Sequence, residues 1–152
     1  MQTTRIMFIN GPNLNMLGIR EPAIYGHTTY TQLESYITSQ CEAIKIEAAI
    51  FQSNYEGEII NFIQEAYHEK YDGLVINPGA YTHYSYAIAD ALKSVNIPCI
   101  EVHLSNIYQR EAFRQKSVTA AACLGSITGL GKIAYILAAQ ALQHHLAAQK
   151  EN

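Results

Sequence analysis

Residues 5–26, RIMFINGPNLNMLGIREPAIYG, join a short apolar run to a long segment broken by glycine and proline, and that junction decides how the chain folds. Residues 5–9, RIMFI, read as a strand buried on both faces, stopped by Asn10-Gly11-Pro12. The segment beyond Asn10 is too polar for a core element and far longer than the usual two to six residues of a connection. Asn10, Asn13 and Asn15 supply amide donors and acceptors, and Arg20 and Tyr25 put a cation and a phenol on one segment. A long loop directly after a first strand is a place where a rigid scaffold carries chemistry.

The pattern outward from this junction alternates strand and helix. Thr31-x-x-Glu34 is a capping signal ahead of a helix over 31–43, with Leu33, Ile37, Cys41 and Ile44 at helical spacing. Residues 45–52 read as the second strand. Ser53-x-x-Glu56 signals a second helix, with Ile59, Phe62, Ile63, Ala66 and Tyr67 on its apolar face. A third strand spans 73–79 and is followed by a helix over 84–95. A fourth strand spans 99–104, then a short helical piece comes near 110–115. SVTAAACL, 117–124, reads as a fifth strand. The last helix spans 129–147, with Ile133, Ile136, Leu137, Ala141 and Leu142 inward and a frayed tail. Apolar strands alternating with helices require a parallel sheet covered on both faces. The expectation is an α/β, flavodoxin-like three-layer sandwich: a five-stranded parallel sheet in the order 2-1-3-4-5, forming a single domain over 1–152.

The 152 residues can build a substantial core, and a net charge of −3 gives no basic surface for nucleic acid. No apolar run is long enough to span a membrane. Cys41, Cys99 and Cys123 are widely spaced and read as buried free thiols, which points to a reducing, cytoplasmic setting. No metal-ligand spacing is present, so no metal is expected. Gly129-x-Gly131-x-x-Ala134 imitates a dinucleotide fingerprint but stands at the last strand, where it reads as close packing at a helix start. A receiver domain is excluded because the first strand lacks an acidic pair and the third ends in Asn77. A Ser/Thr-rich phosphate loop is missing as well.

In this topology the active crevice lies beyond the carboxyl ends of the strands. The suggestive polar residues gather there: Asn10 and Asn13 after strand 1, Asn77 and His83 after strand 3, and Glu101 and His103 at the end of strand 4. Glu101 and His103 alternate along one strand and share a face, so the carboxylate can orient and charge the imidazole as a proton donor. A free phenol has a pKa of about 10, and bringing it to neutrality costs about 4 kcal/mol. A guanidinium such as that of Arg20 can supply this and make Tyr25 a base. Neutral asparagine donors suit an enolate or hydroxyls.

NGPNLNMLGIREPAIYG, QSNYEGEIINFI, GLVINPGAYTHYSYAIADAL and IPCIEVHLSNIYQREAFRQKS, in that order and spacing, closely resemble the type II 3-dehydroquinate dehydratases. The resemblance implies reversible dehydration of 3-dehydroquinate to 3-dehydroshikimate through an enolate, in chorismate and aromatic amino acid biosynthesis. It implies no cofactor, and a homododecamer built as a tetramer of trimers. By resemblance Tyr25 is the base, Arg20 stabilises its phenolate and the transition state, and His103 is the acid oriented by Glu101. Asn13 places the water on the enolate oxygen. Asn77, His83 and Arg114 bind substrate hydroxyls, and the amides of Leu104 and Ser105 take the carboxylate. Asp90 reaches the site of a neighbouring subunit. Met16 and Tyr108 depart from the residues common in the family, Leu and His. The competing expectation is a flavodoxin-like module that binds a polyol acid without turning it over. Gly18 to Gly26 is expected to form a mobile lid that carries Arg20 and Tyr25 over the substrate.

Overall fold

The computed structural model describes residues 3–19 and 21–152 (the backbone alone at Tyr25), and its sheet is built around β1, Thr4–Asn10. Ile6 and Phe8 of β1 point to one face, Met7 and Ile9 to the other, and all four are fully buried. Both faces are therefore covered, which is why the strand is apolar without alternation. β1 pairs in parallel with β2 (Ile46–Gln52) and β3 (Gly73–Asn77), and β4 (Cys99–His103) and β5 (Gly125–Thr128) continue the sheet. The order is β2-β1-β3-β4-β5, as the alternating pattern required.

After a single turn α1 (Pro22–Tyr25), the helices are α2 (Tyr30–Ala43), α3 (Glu56–His68), α4 (Tyr86–Val95) and α5 (Ile133–Lys150). Leu33, Ile37 and Cys41 of α2 join Ala134, Ala138 and Leu142 of α5 against the Ile6–Phe8–Val75 face. Ile59 and Ile63 of α3 join Ile88 and Leu92 of α4 against Met7, Ile9 and Leu74. Each fully buried Ile or Leu contributes about 1.5–3 kcal/mol, so these two layers hold the sheet rigid beneath the site.

The register sets Asn10 beside Gln52 and Asn77, and His103 beside Thr128, so the carboxyl edge is a polar row. The turns after β1 and β3 abut there. A Cβ on Gly11 would stand 2.4 Å from the Pro78 carbonyl oxygen, so any side chain at this position would force the two turns apart.

Several local expectations are corrected. The cap of α2 is Thr29, whose hydroxyl accepts from the Gln32 N–H at 3.1 Å, rather than Thr31 with Glu34. The reciprocal bond, from Thr29 N–H to the Gln32 side chain, closes the capping box two residues early. Ser53 does not cap α3; its hydroxyl accepts from the Tyr55 N–H in a tight turn. Tyr67 is exposed. Residues 117–124 are not a strand. They form a loop with one 3-10 turn, Ala120–Ala122, and the fifth strand is GSIT, 125–128. α5 starts at Ile133, turns Ala134, Tyr135, Ile136, Ala138, Ala139 and Leu142 inward, leaves Ile133 and Ala141 exposed, and stays helical to Lys150. Cys41 and Cys99 are buried, but Cys123 is only half-buried. The Gly129-x-Gly131-x-x-Ala134 stretch is packing, as read. A Cβ on Gly129 would lie 2.9 Å from the Asn106 Cβ, and Ala134 is fully buried.

Candidate active site

His103 ends β4 with its Nε2 2.8 Å from Glu101 Oε2, and both side chains are nearly sealed from solvent. The two-residue alternation of a strand places them on one face, as their spacing requires. Glu101 is held by more than the imidazole. Ser117 donates to its Oε2 at 2.8 Å and Thr82 at 3.0 Å, while Thr119 donates to Oε1. Burial by itself would raise this carboxyl. The hydrogen bond and charge of His103, then the hydroxyls of Thr119 and Ser117, outweigh burial and hold it below its ordinary value. Glu101 is thus a buried anion facing an imidazole, which fits His103 for giving up a proton.

The floor of the site is a second network. The Asn77 side-chain oxygen accepts from the Gly79 N–H at 3.2 Å, and its NH₂ donates to the Tyr135 hydroxyl at 3.0 Å. That hydroxyl donates in turn to Asn10 Oδ1 at 2.7 Å. Tyr135 is fully buried, and burial pushes its phenol above the ordinary value; burial also pushes Tyr30, beside Asn10, up to about 12. Both phenols remain neutral and lock the asparagine amides at the switch point between β1 and β3.

A cavity of about 60 Å³ opens over this floor. Asn13, Asn77, His83, His103, Leu104, Ser105 and Arg114 all line it. Asn13 sits in the left-handed region (φ 70°), with its N–H donating to Asn54 Oδ1 at 3.0 Å. His83 donates from Nδ1 to the Lys116 carbonyl at 2.7 Å, which leaves Nε2 as the other polar atom of the ring. The carbonyls of Leu104 and Ser105 accept from Gly131 N–H and the Thr128 hydroxyl, fixing the turn after β4. Arg114 Nε approaches Glu111 Oε2 to 2.9 Å without hydrogen-bond alignment, so this contact is a Coulombic pair.

Glu101 lies behind His103 and does not line the cavity. Asp90 is exposed on α4, also outside the lining. Arg20 and the side chain of Tyr25 lie outside the described residues. Sequence reasoning missed Thr82, Ser117, Thr119 and Tyr135, and also Arg110, which lines the cavity and pairs with Glu21 at 3.9 Å. Arg110 and Arg114 thus bring two guanidinium groups to the lining, each paired with a glutamate, and among the described residues no lysine lines it. Among the described residues no group of three or more His, Cys, Asp or Glu gathers to hold a metal ion. The arrangement offers an imidazole backed by a buried carboxylate, neutral amides and two guanidinium groups: a site for a small anionic substrate and acid–base chemistry.

Comparison with known proteins agrees. The family model described as dehydroquinase class II matches residues 4–143. The 3-dehydroquinate dehydratase of Clostridium perfringens (strain 13 / Type A) is 61% identical over 142 residues, covering 93% of this chain and 97% of that one. The crystal structure of type II dehydroquinase from Butyrivibrio crossotus superposes with a TM-score of 0.92 at 55% identity, covering 93% of this chain and 98% of the other. The Propionibacterium acnes type II dehydroquinase gives a TM-score of 0.89 at 42% identity, covering 93% and 97%.

Proposed function

The chain belongs to the class II dehydroquinase family, and from that premise we infer how its site removes water from 3-dehydroquinate to give 3-dehydroshikimate. As a 3-dehydroquinate dehydratase it is a carbon–oxygen lyase (EC 4.2.1.10) of the shikimate pathway. The observation that carries the mechanism is the buried Glu101 carboxylate behind His103, which lines a cavity together with Arg110 and Arg114.

The reaction takes a proton from the carbon beside the ketone and expels the C1 hydroxyl as water. We assign the first step to Tyr25, held as phenolate by Arg20, and the second to His103, which protonates the leaving hydroxyl while Glu101 balances its charge. Between them an enolate forms. Asn13 places a water on the enolate oxygen, where each well-aimed donor contributes about 3 kcal/mol. Asn77, His83 and Arg114 hold the substrate hydroxyls, and the amides of Leu104 and Ser105 take the carboxylate. Their common position on the cavity wall supports these roles. We assign segment 18–26, which carries Arg20 and Tyr25, the part of a lid that closes over bound substrate. No cofactor enters the scheme.

We assign the working enzyme to a homododecamer, a tetramer of trimers, in which Asp90 serves the site of a neighbouring subunit. Asp90 is exposed and stands outside its own cavity, and Tyr55, Tyr84 and Tyr86 are exposed aromatic groups at the starts of α3 and α4. Unpaired cysteines support a cytoplasmic setting. The test is to mix the protein with 3-dehydroquinate and follow the enone absorbance of the product. Turnover unaffected by a chelator is expected; binding without product would leave only the binding-module reading.

A further inference from the structure

We propose that Thr82, Ser117 and Thr119 form a hydroxyl cage of positioning residues that keeps Glu101 a carboxylate and so fixes His103 with its proton on Nε2 and Nδ1 toward the substrate. The cage draws on three separate stretches of chain. Thr82 comes from the turn after β3, Ser117 and Thr119 come from the loop before β5, and Glu101 is in mid-β4. The Val118 N–H donates to the Thr82 carbonyl at 2.7 Å, and the Ala120 N–H to the Ser117 hydroxyl at 3.0 Å, so the backbone holds the three hydroxyls together.

A count of protons fixes the direction of the hydrogen bonds. Thr82 lies 2.7 Å from Ser117 and 3.0 Å from Thr119, and Ser117 lies 3.2 Å from Thr119. Three hydroxyls share three protons. Each can accept as well as donate, but the carboxylate has no proton of its own and can only accept. The protons therefore run toward Glu101, directly or from Thr82 through Ser117. Thr82 and Thr119 are fully buried, so water does not compete for them. With Oε2 already receiving these donors, its 2.8 Å contact with His103 Nε2 requires the hydrogen to be on nitrogen. A proton on Glu101 would compete with these donors for the lone pairs of its oxygens, so the cage favours the carboxylate and leaves the shared hydrogen on Nε2. The groups facing Glu101 are thus His103 from its own strand and the three hydroxyls from the packed loops. The Cys99 thiol, which begins the same strand, is kept protonated by burial and also feels the charge of Glu101.

The consequence for chemistry rests on the dehydratase reading. A His103 whose Nε2 is always engaged presents only Nδ1 to the leaving hydroxyl, and each turnover returns the ring to one defined tautomer. Without the cage the shared proton can settle on Glu101, leaving a neutral imidazole that cannot act as the acid.

The test has two arms. In ¹⁵N-histidine-labelled protein, sedimented without substrate and studied by solid-state NMR at alkaline pH, His103 is identified by its loss in His103→Asn. A protonated Nε2 and bare Nδ1 are expected; the reverse tautomer overturns the cage whatever the activity. In the second arm, Thr119→Val keeps shape and removes one donor. It should lower kcat about tenfold or more with KM within about twofold, because hydrogen bonds to charged groups are among the stronger ones. Thr119→Ser should restore most of kcat. Thr82→Val supplies the same test should Thr119→Val fail to fold. Unchanged kcat in both valine variants, or no rescue by serine, overturns the proposal. Absence of turnover in the unmutated protein would instead count against the dehydratase reading, leaving the NMR result standing.

Discussion

Replacing Glu101 by glutamine removes one negative charge and almost no volume, at a position 1% exposed to solvent. The amide group can turn its NH₂ toward Thr119, whose hydroxyl can accept, and keep its oxygen on Nε2 of His103. The hydrogen bond then survives and only the charge is lost. Two unit charges about 4 Å apart interact by roughly 4 kcal/mol at an effective dielectric near 20. The retained neutral hydrogen bond returns about 1–1.5 kcal/mol. The net loss of support for a charged His103 is about 2.5–3 kcal/mol, a factor of roughly 70 to 150 in rate. The assay is initial-rate formation of 3-dehydroshikimate near neutral pH, with thermal melting as the fold control. His103 can turn neutral once its partner's charge is gone, so no lone buried charge remains and folding stability should change far less than activity. A Glu101→Gln enzyme within twofold of the unmutated kcat would refute the role of the buried anion.

Tyr25→Phe removes the assigned base and should cost at least two orders of magnitude in kcat; full activity would reassign proton abstraction. Tyr135→Phe leaves Asn10 Oδ1 and one Asn77 donor without their buried partner. It should destabilise by about 1–3 kcal/mol, several degrees in Tm, and an unchanged melting temperature would count against the network. Stability should also depend on acid. Burial pushes the Glu101 carboxyl up, but the His103 contact and the hydroxyls outweigh it and hold the group below its ordinary value in the fold. Its contribution is therefore complete above the unfolded carboxylate value of about 4.3 and is lost as pH falls through the lower folded value. Urea midpoints taken downward from neutral pH should fall less steeply in Glu101→Gln; equal slopes would contradict the assignment.

The sheet was legible because β1, β3 and β4 are buried on both faces and leave continuous apolar runs. β5 was not, because it is a four-residue strand with no buried position, while SVTAAACL upstream carries the apolar character a strand would have. That stretch instead delivers Ser117 and Thr119 to Glu101, and a hydroxyl in an apolar stretch gives no sign of which carboxylate it will meet. His103 and Glu101 were legible because their partnership is local, two residues apart on a strand. Tyr135 was not, since its partners lie 58 and 125 residues away and its phenol looks like ordinary helix core. The α2 cap was misplaced by two residues because Thr29-x-x-Gln32 and Thr31-x-x-Glu34 both fit the pattern, and geometry chose the first.

Acid–base removal of water through an enolate, with no covalent bond between enzyme and substrate, is the central claim. The most direct measurement is residual activity after borohydride treatment in the presence of 3-dehydroquinate. None of Lys45, Lys70, Lys93, Lys116, Lys132 and Lys150 lines the cavity. Full retention of activity is therefore expected. Inactivation with substrate mass attached to a lysine would show an imine and contradict the claim.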